Sequence, residues 1–262
     1  MQVPSSLDAL RSLIGRTGLP DARSSAAIPL GMPAIDGHLP GGGLASGALH
    51  EVAGAGADAE HGAAAALFVA RLLARTRGPV LWVSMRRDLF APGLAAAGLD
   101  AERVIHVEAG RAVLAAMEDG LRLGCPGGVV GEIEGRLGLI PSRRLQLAAE
   151  RAGTIAFAIR RALSADDPAL TAPSAAVTRW RIGSLPSAPP LAHAPSIPGL
   201  GPARWRLELL RARGGESSSW IVEAGDAPDH LRLAAVLDDG QAAAEQPGRH
   251  APAWAGARRL RA

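Results

Sequence analysis

Apolar positions along the chain come in short runs, punctuated by glycine, proline and small polar residues, and the runs alternate between two periods. Leu7, Leu10, Leu13 and Ile14 recur at helical spacing, which predicts a short amphipathic helix over 5–17. After a stretch rich in Pro and Gly (28–47), apolar strands at 48–53, 80–84, 104–108, 128–133 and 154–159 are predicted. Helical segments at 62–76, 89–97, 111–123 and 141–151 separate them, with Gly98, Gly124 and Gly153 as stop signals. Short apolar strands alternating with helices predict an α/β fold, a mostly parallel central sheet flanked by helices on both faces. The chain then changes character. Segments 177–182, 204–212 and 219–223 alternate with period two and have no helices between them, so antiparallel strands should finish the sheet at its C-terminal end. Gly214-Gly215 marks a hairpin between the last two. Two Pro/Ala/Ser-rich segments, 164–176 and 184–203, read as flexible loops. The expected organisation is a helix and linker at 1–27, one domain at 28–239, and a frayed tail at 240–262.

Composition narrows the chemistry. The 262 residues include no Lys, Asn or Tyr, so all 28 basic residues are Arg. Against 25 acidic residues this leaves a net charge of +3, too little for a nucleic-acid-binding reading based on bulk charge. With no lysine, Schiff-base chemistry and a phosphate-gripping lysine are both excluded. A lone Cys125 rules out an internal disulfide and reads as an inert buried thiol in a reducing compartment. The seven histidines form no ligand-spaced pair, so no metal is expected. The first residues lack a secretory pattern, and the longest apolar run, eight residues at 63–70, is too short to span a bilayer. A cytoplasmic protein is expected.

In an open parallel sheet, ligands sit beyond the carboxyl ends of the strands, often at the loop entering the first helix. That loop is Gly54-Ala55-Gly56-Ala57-Asp58-Ala59-Glu60-His61-Gly62. Its place and its glycines suit a phosphate loop, G-x-x-x-x-G-K-[ST], but the last three positions hold Ala59, Glu60 and His61. A carboxylate stands where an ammonium should meet the terminal phosphates, and no hydroxyl is present for magnesium. Such a loop is kept for chain geometry, or retains some nucleotide affinity through its backbone amides. The second strand runs into Met85-Arg86-Arg87-Asp88, where a water-activating glutamate would be expected. The strand that would bind magnesium ends in Glu132, read as a solvated or N-cap-like side chain, with Glu134 beyond it. No G-x-S-x-G or other nucleophile arrangement exists.

Residues 29–36 (PLGMPAID), 39–44 (LPGGGL) and 47–52 (GALHEV) resemble the approach to the phosphate loop of RecA-type recombinases. The order of strands and helices through Ile159 is similar too. Together with the degenerate loop, TRWRI (178–182), PGLG (198–201), ARWRLELLRARGG (203–215) and SWIVEA (219–224) resemble the ImuA family, within the wider superfamily of RecA and the SulA division inhibitors. This resemblance implies a RecA-like fold and a role without hydrolysis or cofactor in damage-induced (SOS) translesion synthesis and mutagenesis. The implied partners are ImuB, a polymerase-like protein, an error-prone replicative-type polymerase, and RecA. Departures from active recombinases point away from strand exchange. The segment 135–140 is too short for a DNA-binding loop, and 162–176 contains no Arg. A divergent ATPase completed by a partner protomer and a SulA-type division inhibitor are the competing readings.

Arg179, Trp180 and Arg181 alternate along one strand, and Arg204, Trp205 and Arg206 along another. Two readings are open. Arg beside Trp can stack on bases or partner side chains, or the Trp side chains face the core and the Arg side chains form a solvated face. Arg143-Arg144, at a helix start, reads as surface charge or a phosphate contact. Helix 5–17 suits either a neighbouring protomer or its own sheet.

Overall fold

The computed structural model describes residues 27–125, 127–162, 164, 166–191, 193–194, 197, 199–225 and 231–237. Its elements follow in the order β1 (Ala27–Ile28), α1 (Pro33–Asp36), β2 (Leu44–Ala45), β3 (Leu49–Gly54), α2 (Asp58–Ala74), β4 (Val80–Ser84), α3 (Ala91–Ala96), β5 (Val104–Glu108), α4 (Val113–Arg122), β6 (Gly128–Glu134), α5 (Leu139–Ala152), β7 (Ala156–Arg161), α6 (Pro168–Thr171), β8 (Thr178–Leu185), β9 (Arg204–Ala212), β10 (Ser218–Ala224) and β11 (Leu231–Leu237). The main sheet has the order β11-β10-β9-β8-β3-β7-β6-β4-β5. Neighbours from β8 to β5 run parallel, and from β8 outward they run antiparallel. The predicted α/β architecture, with its antiparallel finish, is the observed one. No helix among the described residues is long and apolar enough to cross a membrane.

β3 lies between β7 and β8, buried on both faces as parallel strands are. On one face α2 packs Phe68, Val69, Leu72 and Leu73 against Trp82, Phe157, Trp180 and Trp220. On the other, α4 and α5 set Met117, Leu121, Leu145 and Ala149 against Leu49, Val83, Val129 and Ala158. Two glycines let α4 sit this close. A Cβ on Gly131 would lie 2.0 Å from Met117 Sδ, and one on Gly120 would lie 2.2 Å from Leu81 Cδ2.

The structure departs from the expected elements in several places: α2 begins at Asp58, and α1, β1 and β2 form around the Pro/Gly-rich stretch 28–47. α5 begins at Leu139, ahead of Pro141, because a proline in the first turn surrenders no intrahelical hydrogen bond. α6 forms inside the expected loop 164–176, started by Asp167, whose carboxylate accepts the Ala169 N–H at 2.8 Å. β8 runs on to Leu185, into the expected loop 184–203, because β9 pairs with it that far. β11 was not expected. Its Ala-rich, half-exposed sequence has no clean alternation, and its register with β10 shifts at Ile221/Val222. The expected helix 5–17 and tail 240–262 lie outside the described residues.

His50 ties β3 to its surroundings. Its Nε2–H donates to the Ala45 carbonyl at 2.9 Å, which leaves Nδ1 to accept from the Thr178 hydroxyl at 2.8 Å. Thr178 Oγ1 in turn accepts from Trp180 Nε1 at 3.0 Å. Burial holds the imidazole neutral and lowers its pKa to about 4. A base whose folded pKa lies below its unfolded value contributes stability above the unfolded pKa and loses it as pH falls toward the folded one. Between pH 6.5 and 4, His50 should therefore remove about 3 kcal/mol of stability. Urea unfolding at a series of pH values should show this slope in the wild type and a flatter one in His50→Gln; equal slopes would contradict it.

Candidate phosphate-loop site

The loop from β3 into α2 occupies the place of a phosphate cradle, but two of its amide donors are spent internally. Ala55 N–H donates to the Ile182 carbonyl and Asp58 N–H to the Ala162 carbonyl, each at 2.8 Å. A phosphate loop aims such amides at its ligand. Here they fasten the loop to β8 and to the end of β7.

The hollow of the loop is filled by His61. A Cβ on Gly54 would lie 2.8 Å from His61 Cβ, and one on Gly56 would lie 2.8 Å from His61 Cδ2. The ring is held there by the Ser184 N–H, which donates to Nδ1 at 3.1 Å, and only 11% of the side chain is exposed. Ala59 and Glu60 face outward, the Glu60 side chain being 66% exposed. The glutamate at the lysine position thus stands clear of the hollow, and the histidine at the hydroxyl position occupies it. Asp58 folds back over Gly62, where a Cβ would come within 2.2 Å of Oδ1. Its carboxylate meets the positive end of α2, which a phosphate would otherwise seek.

Beyond the strand ends an ion-pair cluster closes the space where the rest of a nucleotide site would lie. Arg161, at the end of β7, reaches Asp58 at 3.0 Å, Asp88 at 2.7 Å and Glu132 at 3.1 Å. Glu132 Oε1 also accepts from Trp82 Nε1 at 2.7 Å, and Arg86 pairs with Glu134. Burial pushes the Glu132 and Asp58 carboxyls above their ordinary range, against the pull of Arg161. Four carboxylates (Asp58, Asp88, Glu132, Glu134) face two guanidinium groups (Arg86, Arg161), so the cluster carries an excess of negative charge. The gap among Met85, Arg86, Asp88, Glu132, Glu134 and Arg161 measures about 10 Å³, room for roughly one water. Among the described residues no group of three or more His, Cys, Asp or Glu side chains is placed to hold a metal ion.

No protein-family model matches the chain. Protein ImuA of Caulobacter vibrioides is 43% identical over 235 residues, covering 85% of this chain and 94% of that protein, with the same figures in two strains. The chain belongs to the ImuA family. In fold it is similar to the RadB recombinase crystal structure, with a TM-score of 0.54 and 15% identity over 78% of this chain and 98% of that one. The fold of this ImuA-family chain is therefore RecA-like.

Three expectations need correction against this geometry. Glu132 is not a solvated or capping side chain. It is buried, because Trp82 and Arg161 on the strands either side supply partners that sequence spacing does not reveal. Trp180 and Trp205 offer no stacking surface for bases or a partner. Trp180 is fully buried with its ring 5.6 Å from Phe68 and 6.2 Å from Trp220, and Trp205 is 4% exposed beneath the Arg71 guanidinium. The arginines between them are engaged as well. Arg181 pairs with Glu208, Arg204 with Glu223, and Arg206, opposite Gly183, has its own interaction. Arg179 turns inward altogether.

Its partner is Glu51, which sequence reasoning missed. Glu51 is 1% exposed; Oε1 accepts from Arg160 at 3.0 Å, and Oε2 from Arg179 Nε at 2.8 Å and Ser174 Oγ at 2.7 Å. Arg160 also donates to the Gly135 and Ala169 carbonyls, and Arg179 to the Ala172 carbonyl. One carboxylate in mid-sheet thereby pins the loops that follow β6 and β7. The available signal was a charge inside an apolar strand, Glu51 in LHEVAG and Arg160 in AFAIRR, which demands a buried partner. Glu51→Ala strands the buried Arg160 guanidinium and unpairs the half-buried Arg179, and should cost about 3–5 kcal/mol in urea unfolding. Glu60→Ala at the exposed loop position should stay within about 0.5 kcal/mol. Similar losses for both variants would contradict the assignment.

Proposed function

We propose that this ImuA-family chain is a non-hydrolysing RecA-like scaffold of damage-induced (SOS) translesion synthesis and mutagenesis. In this reading it works through protein contacts with an ImuB-like, polymerase-related protein and an error-prone polymerase, and RecA is a further partner. It uses no cofactor. Membership of the ImuA family supports the pathway. The observation that carries the non-hydrolysing role is the plugged hollow, with His61 inside it, in a chain that has no lysine to grip a terminal phosphate. An excess of carboxylates beyond the strand ends adds electrostatic repulsion where a triphosphate would approach. The loops after β6 and β7, where recombinases keep mobile DNA-binding segments, are drawn to the buried Glu51 cluster, which favours a scaffold over a strand-exchange enzyme.

A deletion of the gene should abolish the rise in mutation frequency after ultraviolet damage. The wild-type chain and the solvent-facing variant Glu60→Ala should both restore it. An affinity-tagged copy should co-purify the ImuB-like protein from damaged cells. Undiminished mutagenesis in the deletion strain, combined with a loss of damage-induced filamentation, would contradict the scaffold reading and favour a division inhibitor.

A further inference from the structure

A second concave surface lies away from the phosphate loop, between the C-terminal halves of α4 and α5. Both helices run from the carboxyl end of one parallel strand to the amino end of the next, so their C-terminal halves lie at the amino edge of the sheet. The groove has a volume of about 320 Å³, at the lower end of the range for ligand sites. Its lining includes the aliphatic Leu121, Leu147 and Ala148 together with Arg122, Arg144 and Arg151.

Glu118 organises two of those arginines. Its carboxylate, 11% exposed, accepts from Arg122 on one oxygen and from Arg144 on the other, each at 2.5 Å. Both arginine side chains stay 63% exposed, so each guanidinium is oriented by Glu118 on a side chain open to solvent. Arg151 is exposed and has no ion-pair partner among the described residues. Three guanidinium groups thus meet one lining carboxylate. Asp119, which does not line the groove, touches Arg122 at 3.2 Å. One residue past Arg122, Leu123 is 84% exposed.

We propose that this groove docks an acidic, leucine-bearing segment of a partner protein. The planar arginine forks match carboxylates, and the aliphatic lining matches a leucine between them. A nucleic-acid strand fits less well. No aromatic side chain lines the groove to stack a base. The polarity is opposite to that of the phosphate-loop end, where carboxylates outnumber arginines, so an acidic partner is directed to α4/α5 and away from the degenerate loop. This goes beyond the scaffold reading and names the chemistry of a contact, whichever pathway the partner serves.

The test titrates the full chain into a short fluorescein-labelled peptide of glutamate pairs alternating with leucine pairs, followed by anisotropy. An arginine–leucine peptide and oligothymidine serve as controls. Saturable, salt-weakened binding of the acidic peptide alone is expected. Arg151→Glu, which breaks no ion pair seen among the described residues, should weaken it several-fold, and Arg144→Glu with Arg151→Glu by about tenfold or more, with unchanged circular dichroism. Absence of saturable binding, equal binding by the variants, or a groove-dependent preference for oligothymidine would overturn the proposal. None of these results alters the mutagenesis phenotype, so the two readings fail separately.

Discussion

The imidazole of His61 lodged among the glycines of the β3–α2 loop is the contact on which the functional reading depends. A phosphate loop works because an open ring of backbone amides and a lysine together offset the charge of a triphosphate. Here the ring is filled, two amides of the loop are already bonded to β8 and to the end of β7, and the chain contains no lysine at all. Removing any one of these obstacles leaves the others in place. The loop still joins the central strand to the helix that covers the largest apolar cluster, which explains why its glycines persist sterically without a ligand.

The same strand carries the polar groups that organise the remainder of the site. Successive residues of β3 point to opposite faces. His50 joins Thr178 and Trp180 on the α2 face, and Glu51 gathers Arg160, Arg179 and Ser174 on the other. Each buried charge is matched, as low-dielectric burial requires. The effect on function is a loss of freedom. Loops that would need to move around DNA or nucleotide are drawn to a fixed carboxylate, and Arg161 links the start of α2, the loop after β4 and strand β6 through Asp58, Asp88 and Glu132. These fixed contacts are consistent with the scaffold role proposed above.

Much of this was legible in the sequence, for physical reasons. The parallel strands are continuous apolar runs and the helices end at glycines, so both could be placed from local pattern. β11 could not, since an Ala-rich edge strand with a register shift has no periodic signature. The defect of the loop was readable from residue identity at Ala59, Glu60 and His61. Which of them fills the hollow was not, because that depends on side-chain direction: Glu60 points to solvent and His61 inward. Of the two readings left open for Trp180 and Trp205 the core-facing one holds, whereas Glu132 and Arg179 were misjudged for one shared reason. Their partners come from neighbouring strands far off in the chain, so local alternation shows a face without showing what lies against it.

Calorimetric titration of magnesium-ATP into the full-length chain, alongside His61→Ala, tests the central claim most directly. No saturable heat is expected from either protein, because emptying the hollow supplies neither the missing cation nor relief from the surrounding carboxylates. Saturable, magnesium-dependent binding in the micromolar range by the wild-type chain would contradict the account.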